Sequence, residues 1–477
     1  MTKQELLRDL PSIDRLLSDP HVASLAEEHG HELVVWLLRR ELEALRARIL
    51  GGEDVTDVAA TVLHGLDGSL RLSLRHAINA AGVVLHTGLG RAMLAPSAVE
   101  AVHDGIRGYC TLATDAEQGK RMSRDEHLRD VLRELTGAES GTFANNNAAA
   151  TMLVLNTLAQ GKEVIVSRGQ LVEIGGSFRM PEVMEMSGAT MREVGTTNKT
   201  HLKDYERAIN ENTGALLRVH QSNYRIMGFT SEPGLEELVA LGDKHGLPVI
   251  DDLGSGALID LTRFGLEREP LIQESVKAGA AVACFSGDKL IAGPQCGIMV
   301  GKREIIERIK KNPLARALRI GKMTVAALEA TLRLFLDEQH LCEKHPTYRM
   351  FSAPLEGLKA RAEALAAKMG TDPIFTTNHE DDGSLSLKMG SVPVFALRII
   401  ESETEVGSGS VPTQTLPTWA VAVRPQGMAP EELARRLRYH EPPIFARIHK
   451  DSVLFDLRTI QPEEDELVAA ALRSVLQ

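Results

Sequence analysis

The chain has 477 residues, 43% hydrophobic and 25% charged, a composition that suits a soluble globular protein of about three domains and excludes a disordered, fibrous or miniprotein scaffold. Its 54 basic and 65 acidic residues leave a net charge of −11, so a global basic surface for gripping nucleic acid is absent. Cys110, Cys284, Cys296 and Cys342 form no CxxC pair, which argues against a zinc site or a disulfide framework. The N-terminal segment carries acids, and no apolar run reaches the roughly 18 residues of a membrane span, so a cytoplasmic protein with no membrane partner is expected.

Residues 1–75 are predicted to form a small helical domain. Leu33, Val34, Leu37, Leu38, Leu42, Leu45 and Ile49 recur at helical spacing, and Gly51-Gly52 supplies the stop. Nine Lys/Arg against thirteen Asp/Glu in this stretch do not announce a nucleic-acid binder, and Arg39, Arg40, Arg46 and Arg48 read most simply as a solvated helix face. Over 76–344 short β-branched runs alternate with helical segments: EVIVS (163–167), ALLRV (215–219), LPVI (247–250), AVACF (281–285) and GIMV (297–300). That alternation predicts an α/β domain with a doubly wound, mostly parallel sheet, whose ligands sit beyond the carboxyl ends of the strands. Residues 345–477 read as a smaller α+β domain. SLKMGSVPVFALRII and WAVAV are its strands, PEELARRLRYH and EEDELVAAALRSVL its helices, and the Gly/Ser/Pro/Thr-rich stretch 403–416 an exposed loop.

Within AVACFSGDKLIAGPQCGIMVG (281–301) a buried strand runs into Ser286-Gly287-Asp288-Lys289. A desolvated lysine amine at a strand end can form a Schiff base with an aldehyde cofactor, and the Ser286 hydroxyl can donate to a phosphate; an ordinary surface lysine is the competing explanation. The strand LPVI ends in Asp251-Asp252. In pyridoxal phosphate enzymes of the aminotransferase-like fold an acid so placed pairs with the pyridinium nitrogen. The pattern Asp252-Leu253-Gly254 favours Asp252 and leaves Asp251 to cap the turn or face solvent. GTFANNNAAATMLVLNTLA (141–159) reads as a helix N-terminus at Asn146, Asn147 and Ala148, where free amides attract a phosphate, or where an Asn side chain simply caps. HTGLGRA (86–92) is followed by Met93 where a dinucleotide fingerprint needs its third glycine, and no GxxxxGK[ST], GxSxG or HExxH occurs, which removes the usual NAD, NTPase, esterase and metalloprotease readings.

Seven segments together resemble one family, bacterial selenocysteine synthase or L-seryl-tRNA(Sec) selenium transferase. They are LPSIDRLL (10–17), INAAGVVLHTGLGRA (78–92), NNNAAA (145–150), VHQSNYRIMGFT (219–230), DLGSG (252–256), SGDKLIAGPQCGIMVGK (286–302) and RALRIGKMTVAALEATLRLF (316–335). The resemblance implies an aminotransferase-like catalytic domain of pyridoxal phosphate fold type I. It further implies conversion of L-seryl-tRNA(Sec) to L-selenocysteinyl-tRNA(Sec) with selenophosphate, by elimination of water to an aminoacrylate and addition of selenium. On this reading Lys289 is the Schiff-base lysine, Asp288 assists catalysis, and Arg91, Arg316 and Arg319 bind selenophosphate, the last two sharing a helix face. Asp252, Ser286, Asn146, Asn147 and Ala148 hold the cofactor, the N-terminal domain holds the tRNA, and the chain assembles as a ring of dimers, a decamer, with no DNA partner. Arg458, where fold relatives bind a free α-carboxylate, is expected to be structural because the seryl carboxylate is esterified to tRNA. Cys296, at a position where many relatives have Ala, is expected to be packed. The competing functions are a pyridoxal phosphate lyase or transferase acting on a free amino acid and a non-catalytic tRNA-binding homologue.

Overall fold

Apolar residues spaced three and four apart in the 20-residue helix His31–Leu50 bury Val34, Leu37, Leu38, Leu45 and Ile49 in one core. The computed structural model describes residues 3–53, 55–175, 178–369, 378–379, 385–389, 392–407, 411 and 413–476, and the chain divides into two units, Met1–His76 and Ala77–Gln477. In the first unit, helices Lys3–Arg8, Ile13–Leu17, Pro20–His29 and Val58–Leu70 pack their apolar residues into that core. Their starts follow from the sequence: Ser12 accepts from the Arg15 amide, Asp19 from His21 with Pro20 at the first helical position, and Asp57 from Ala60. Leu33, expected on the buried stripe, instead lies exposed, as does Trp36, over which Arg40 stacks at 5.2 Å.

The second unit contains two seven-stranded sheets. In the central sheet the spatial order is Ser140–Ala144, Gly297–Gly301, Val282–Ser286, Val249–Gly254, Thr213–Val219, Glu163–Ser167 and Thr190–Val194. Gly297–Gly301 runs antiparallel to both neighbours and the remaining pairs are parallel, as expected when helices cover both faces. All five predicted apolar runs lie in this sheet. Its two edge strands, SGTFA and TMREV, lack such a run: the first is buried but opens on Ser140, Gly141 and Thr142, and the second is half exposed.

The other sheet orders Ile78–Ala80, Ile444–His449, Ser452–Asp456, Thr415–Pro425, Val392–Glu405, Leu385–Met389 and Asn378–His379. Helices Leu355–Met369, Pro430–Tyr439 and Asp465–Leu476 cover it through Leu358, Leu365, Leu433, Leu437, Val468 and Leu472. It takes its first strand from Ile78–Ala80, which pairs in parallel with Ile444–His449. The stretch 403–416 expected as an exposed loop is strand at both ends, where Glu405 pairs with Thr415 at the mouth of a long hairpin, and loop at the described residues between them, though Val406 and Val411 in that loop are buried rather than exposed. Residues 408–410 and 412 of that stretch lie outside the described ones. Among the described residues no helix is long and apolar enough to cross a membrane, and no group of His, Cys, Asp and Glu could hold a metal ion.

Candidate active site

Strands Thr213–Val219, Val249–Gly254 and Val282–Ser286 point their carboxyl ends at a cavity of about 530 Å³, where a parallel sheet presents ligand-binding residues. Eight of the ten predicted residues line it: Arg91, Asn146, Asn147, Ala148, Asp252, Ser286, Asp288 and Lys289.

Lys289 sits in the turn after Ser286. Gly287 donates its amide to the Cys296 carbonyl at 2.9 Å and Leu290 to that of Ser255 at 3.1 Å. Only glycine fits at 287, since a Cβ there would lie 2.4 Å from the Cys296 sulfur, and Cys296 itself is fully buried, a packing residue with its thiol pKa pushed up by burial. Lys289 is only 7% exposed. Burial, and then the Arg91 guanidinium, lowers its amine to about 8 against the partial opposition of Asp252, Asp288 and Glu269. Arg91 reaches the site from a backbone in the left-handed region, φ 68°, and its guanidinium lies 3.5 Å from the Asp288 carboxylate.

Asp251 and Asp252 are consecutive in one strand, so their side chains take opposite faces of the sheet. Asp252 faces the cavity, where Asn147 donates to Oδ1 at 2.8 Å and Thr151 to Oδ2 at 3.2 Å. Asp251 neither caps the turn nor faces solvent, as the sequence suggested. It is fully buried on the other face, 3.1 Å from Arg218 and accepting from Ser275 at 2.6 Å. Burial pushes both carboxyl groups up, and these hydrogen bonds and neighbouring cations oppose it.

Asn146 caps the helix Asn147–Ala159 by accepting from the Ala149 amide at 2.8 Å. Both readings of the Asn-rich turn are therefore present in part. One Asn caps, the next braces Asp252, and the first-turn amides of Asn147 and Ala148 are not taken by a side-chain cap. His220 was not anticipated from the sequence. It directly follows the strand Thr213–Val219, its amide donates to the Asp252 carbonyl at 2.9 Å, and its ring lines the cavity. Burial and then Arg218 hold the ring down at about 4, so it is neutral near pH 7. The rule that singled out Asp252, a polar residue just past a strand, also points to His220.

The cavity suits pyridoxal phosphate: a buried lysine amine, a braced acid for a ring nitrogen, a hydroxyl and helix-start amides for a phosphate. Asn147 Oδ1 and His220 Nδ1 are buried in its wall without hydrogen-bond partners, two polar atoms available to a ligand.

Arg316 and Arg319 are elsewhere. The helix Pro313–Ala317 ends before Arg319, so the two share no helix face, and both line a second cavity of about 620 Å³ together with Arg121, Arg124, Lys310 and Lys311. Within one chain the structure does not bring them to Arg91. Arg458 is outside both cavities. It is buried and donates to the Met350 carbonyl at 2.6 Å, tying two segments together.

A family model for L-seryl-tRNA selenium transferase matches residues 77–461, and one for the selenocysteine synthase N terminal matches residues 7–46. The chain is 45% identical over 484 residues to the L-seryl-tRNA(Sec) selenium transferase of Alkaliphilus metalliredigens and 43% identical over 486 residues to that of Alkaliphilus oremlandii, with 100% of each chain covered. The solved structure of D-glucosaminate-6-phosphate ammonia-lyase shares the fold, with a TM-score of 0.55 at 21% identity over 84% of this chain and 96% of that one. Matched in both units and along its full length, the chain belongs to the L-seryl-tRNA(Sec) selenium transferase family, and its larger unit has the fold type I architecture of pyridoxal phosphate enzymes.

Proposed function

We propose that the Lys289 cavity is where this pyridoxal phosphate-dependent transferase converts L-seryl-tRNA(Sec) to L-selenocysteinyl-tRNA(Sec), with selenophosphate as selenium donor. The observation that carries the assignment is a buried lysine amine, lowered to about 8, sharing one cavity with a carboxylate braced by Asn147 and Thr151. When bound, pyridoxal phosphate supplies the electron sink that lets the seryl Cα proton and the Cβ hydroxyl leave. Lys289 Nζ would hold the cofactor, and its free amine would take the proton from Cα and return one to the departing hydroxyl, work suited to an amine whose pKa lies near the working pH. Asp252 would hold the ring nitrogen of the cofactor and keep it protonated. Ser286 and the amides of Asn147 and Ala148 receive the cofactor phosphate. Asp288, paired with Arg91, orients Lys289, and the planar fork of Arg91 faces the incoming selenophosphate.

Arg316 and Arg319 line a different cavity from Arg91, which supports a selenophosphate site completed by a second chain, as in a dimer within a ring-shaped decamer. The helical unit holds the tRNA, and that substrate places the enzyme in the cytoplasm. Purified protein supplied with cofactor, seryl-tRNA(Sec) and selenophosphate should form selenocysteinyl-tRNA(Sec), and borohydride should fix the cofactor to the peptide carrying Lys289. Reduction onto another lysine, or full turnover by Lys289→Ala, would overturn the assignment.

A further inference from the structure

Six cations line the cavity of about 620 Å³: Arg121, Arg124, Lys310, Lys311, Arg316 and Arg319, with Asp125 the one acidic residue in its wall. Asp125 lies 3.9 Å from Lys310, which also pairs with Glu307 at 3.3 Å, and accepts from Ser123 and Thr142. Among the described residues no carboxylate pairs with Arg121, Arg124, Lys311, Arg316 or Arg319. Arg124 is fixed, donating to the Ile320 carbonyl at 2.6 Å, and its guanidinium is held below its usual range by burial and then by Arg319 and Arg316. In a chain with 65 acidic residues, this crowding of like charge is unfavourable until an anion enters.

Arg316 and Arg319 are given to selenophosphate by the function proposed above, and Arg121, Arg124, Lys310 and Lys311 remain in the same wall for further phosphates, so an extended anion suits this cavity better than a single small one. The cavity also adjoins the Lys289 site. The strand Ser140–Ala144 contributes Thr142 and Phe143 to the cationic wall and runs on to Asn146 in the other cavity, four residues that span at most about 14 Å. The Asn145 amide donates to the Leu318 carbonyl at 2.8 Å, clamping the segment between Arg316 and Arg319 to the same turn.

We infer that this cavity holds the backbone phosphates of the single-stranded 3′ end of the aminoacylated RNA, and that Arg121, Arg124 and Lys311 are positioning residues that lead its terminus to Lys289. The inference rests on the function proposed above. A basic groove tracking the backbone is the usual means of holding a single strand without reading its bases.

The test compares the unaltered protein with the Arg121→Gln/Lys311→Gln double variant, both loaded with cofactor. Fluorescence anisotropy measures binding of tRNA(Sec), intact or lacking its unpaired 3′ nucleotides, as a function of salt. Losing two phosphate contacts should make the salt slope for intact RNA shallower by about 1.4, so that between about 50 and 200 mM salt the variant loses roughly sevenfold less affinity than the unaltered protein. The two proteins should bind the shortened RNA alike, and the saturation midpoint for selenophosphate should stay put. An unchanged slope, or a raised selenophosphate midpoint with RNA binding intact, overturns the inference while leaving the transferase assignment standing. Failure of the unaltered protein to make selenocysteinyl-tRNA(Sec) would instead bring down the function on which the inference depends.

Discussion

Asn147 donates its side-chain amide to Asp252 Oδ1 at 2.8 Å, so the residue that opens the helix Asn147–Ala159 also aims the acid of the neighbouring strand into the cavity. Asp251, one residue earlier, is paired with Arg218 on the opposite face. Substitutions of these adjacent acids should therefore fail in different ways. Asp252→Asn should keep its fold but lower turnover by about a hundredfold or more, because a neutral amide no longer holds the ring nitrogen protonated. Asp251→Asn should leave the cofactor absorbance nearly unchanged and lower the unfolding free energy by about 3 kcal/mol, through the Arg218 charge left without its partner. Denaturant unfolding beside steady-state turnover separates the two.

Arg91 should set the pH at which Lys289 becomes reactive. The Arg91 charge is the second-largest influence holding that amine at about 8, after burial. In Arg91→Gln that downward push is gone and Asp288 loses the cation 3.5 Å away; both changes raise the amine. Capture of added cofactor by the cofactor-free protein needs the unprotonated amine, so the midpoint of capture rate against pH should lie near 8 in the unaltered protein and higher in the variant. Stopped-flow absorbance reads it directly, and coincident midpoints would show that Arg91 does not act on Lys289.

The strands around this site are legible because a sheet covered on both faces demands apolar runs, and 247–250, 281–285 and 297–300 are such runs. The polar residues that end them mark the site for the same reason, Asp252 and Lys289 being abrupt departures from a buried stretch. What the one-dimensional pattern does not carry is direction. Three-residue spacing put Arg316 and Arg319 on one helix face, but the helix ends at Ala317. Nothing local to Asp251 reveals that Arg218, 33 residues earlier, waits on the other side of the sheet.

Gly297 should be irreplaceable for cofactor binding although it never touches the lysine. A Cβ at this position would lie 2.2 Å from the Asn146 carbonyl oxygen and 2.8 Å from the Ala150 methyl. Gly297→Ala must push the helix start away from the strand, and with it the Asn147 brace on Asp252. Overpacking of this kind costs about 1–3 kcal/mol, so cofactor affinity should fall by about one to two orders of magnitude. Equilibrium titration of the cofactor band measures it, and unchanged affinity would show that the turn tolerates displacement.

Removing the first unit should separate RNA affinity from cofactor chemistry. The core of Val34, Leu37, Leu38, Val62 and Leu66 is its own, and every residue lining the Lys289 cavity lies beyond His76. The chain Ala77–Gln477 should accordingly bind cofactor with an unaltered spectrum and bind seryl-tRNA(Sec) at least about tenfold more weakly. Equal affinity in a filter-binding assay would remove the helical unit from RNA recognition.

His345 should account for part of the acid sensitivity of the fold. The ring is fully buried, donates to the Ile291 carbonyl at 3.1 Å and packs edge-on against Tyr348 at 5.1 Å. Burial lowers it from 6.5 to about 4, so across that interval the unfolded chain takes up a proton that the folded chain does not. Stability from this residue is therefore complete above about pH 6.5 and declines as the pH falls towards 4, by about 3 kcal/mol in all. His345→Gln keeps a donor for the Ile291 carbonyl and removes the titration. Its unfolding free energy should be lower than that of the unaltered protein at pH 7, through lost ring packing, yet fall less steeply between pH 6.5 and 4.5. Urea titrations of the cofactor-free proteins at several pH values provide the comparison, and parallel slopes would assign the acid limb to other groups, His220 first among them.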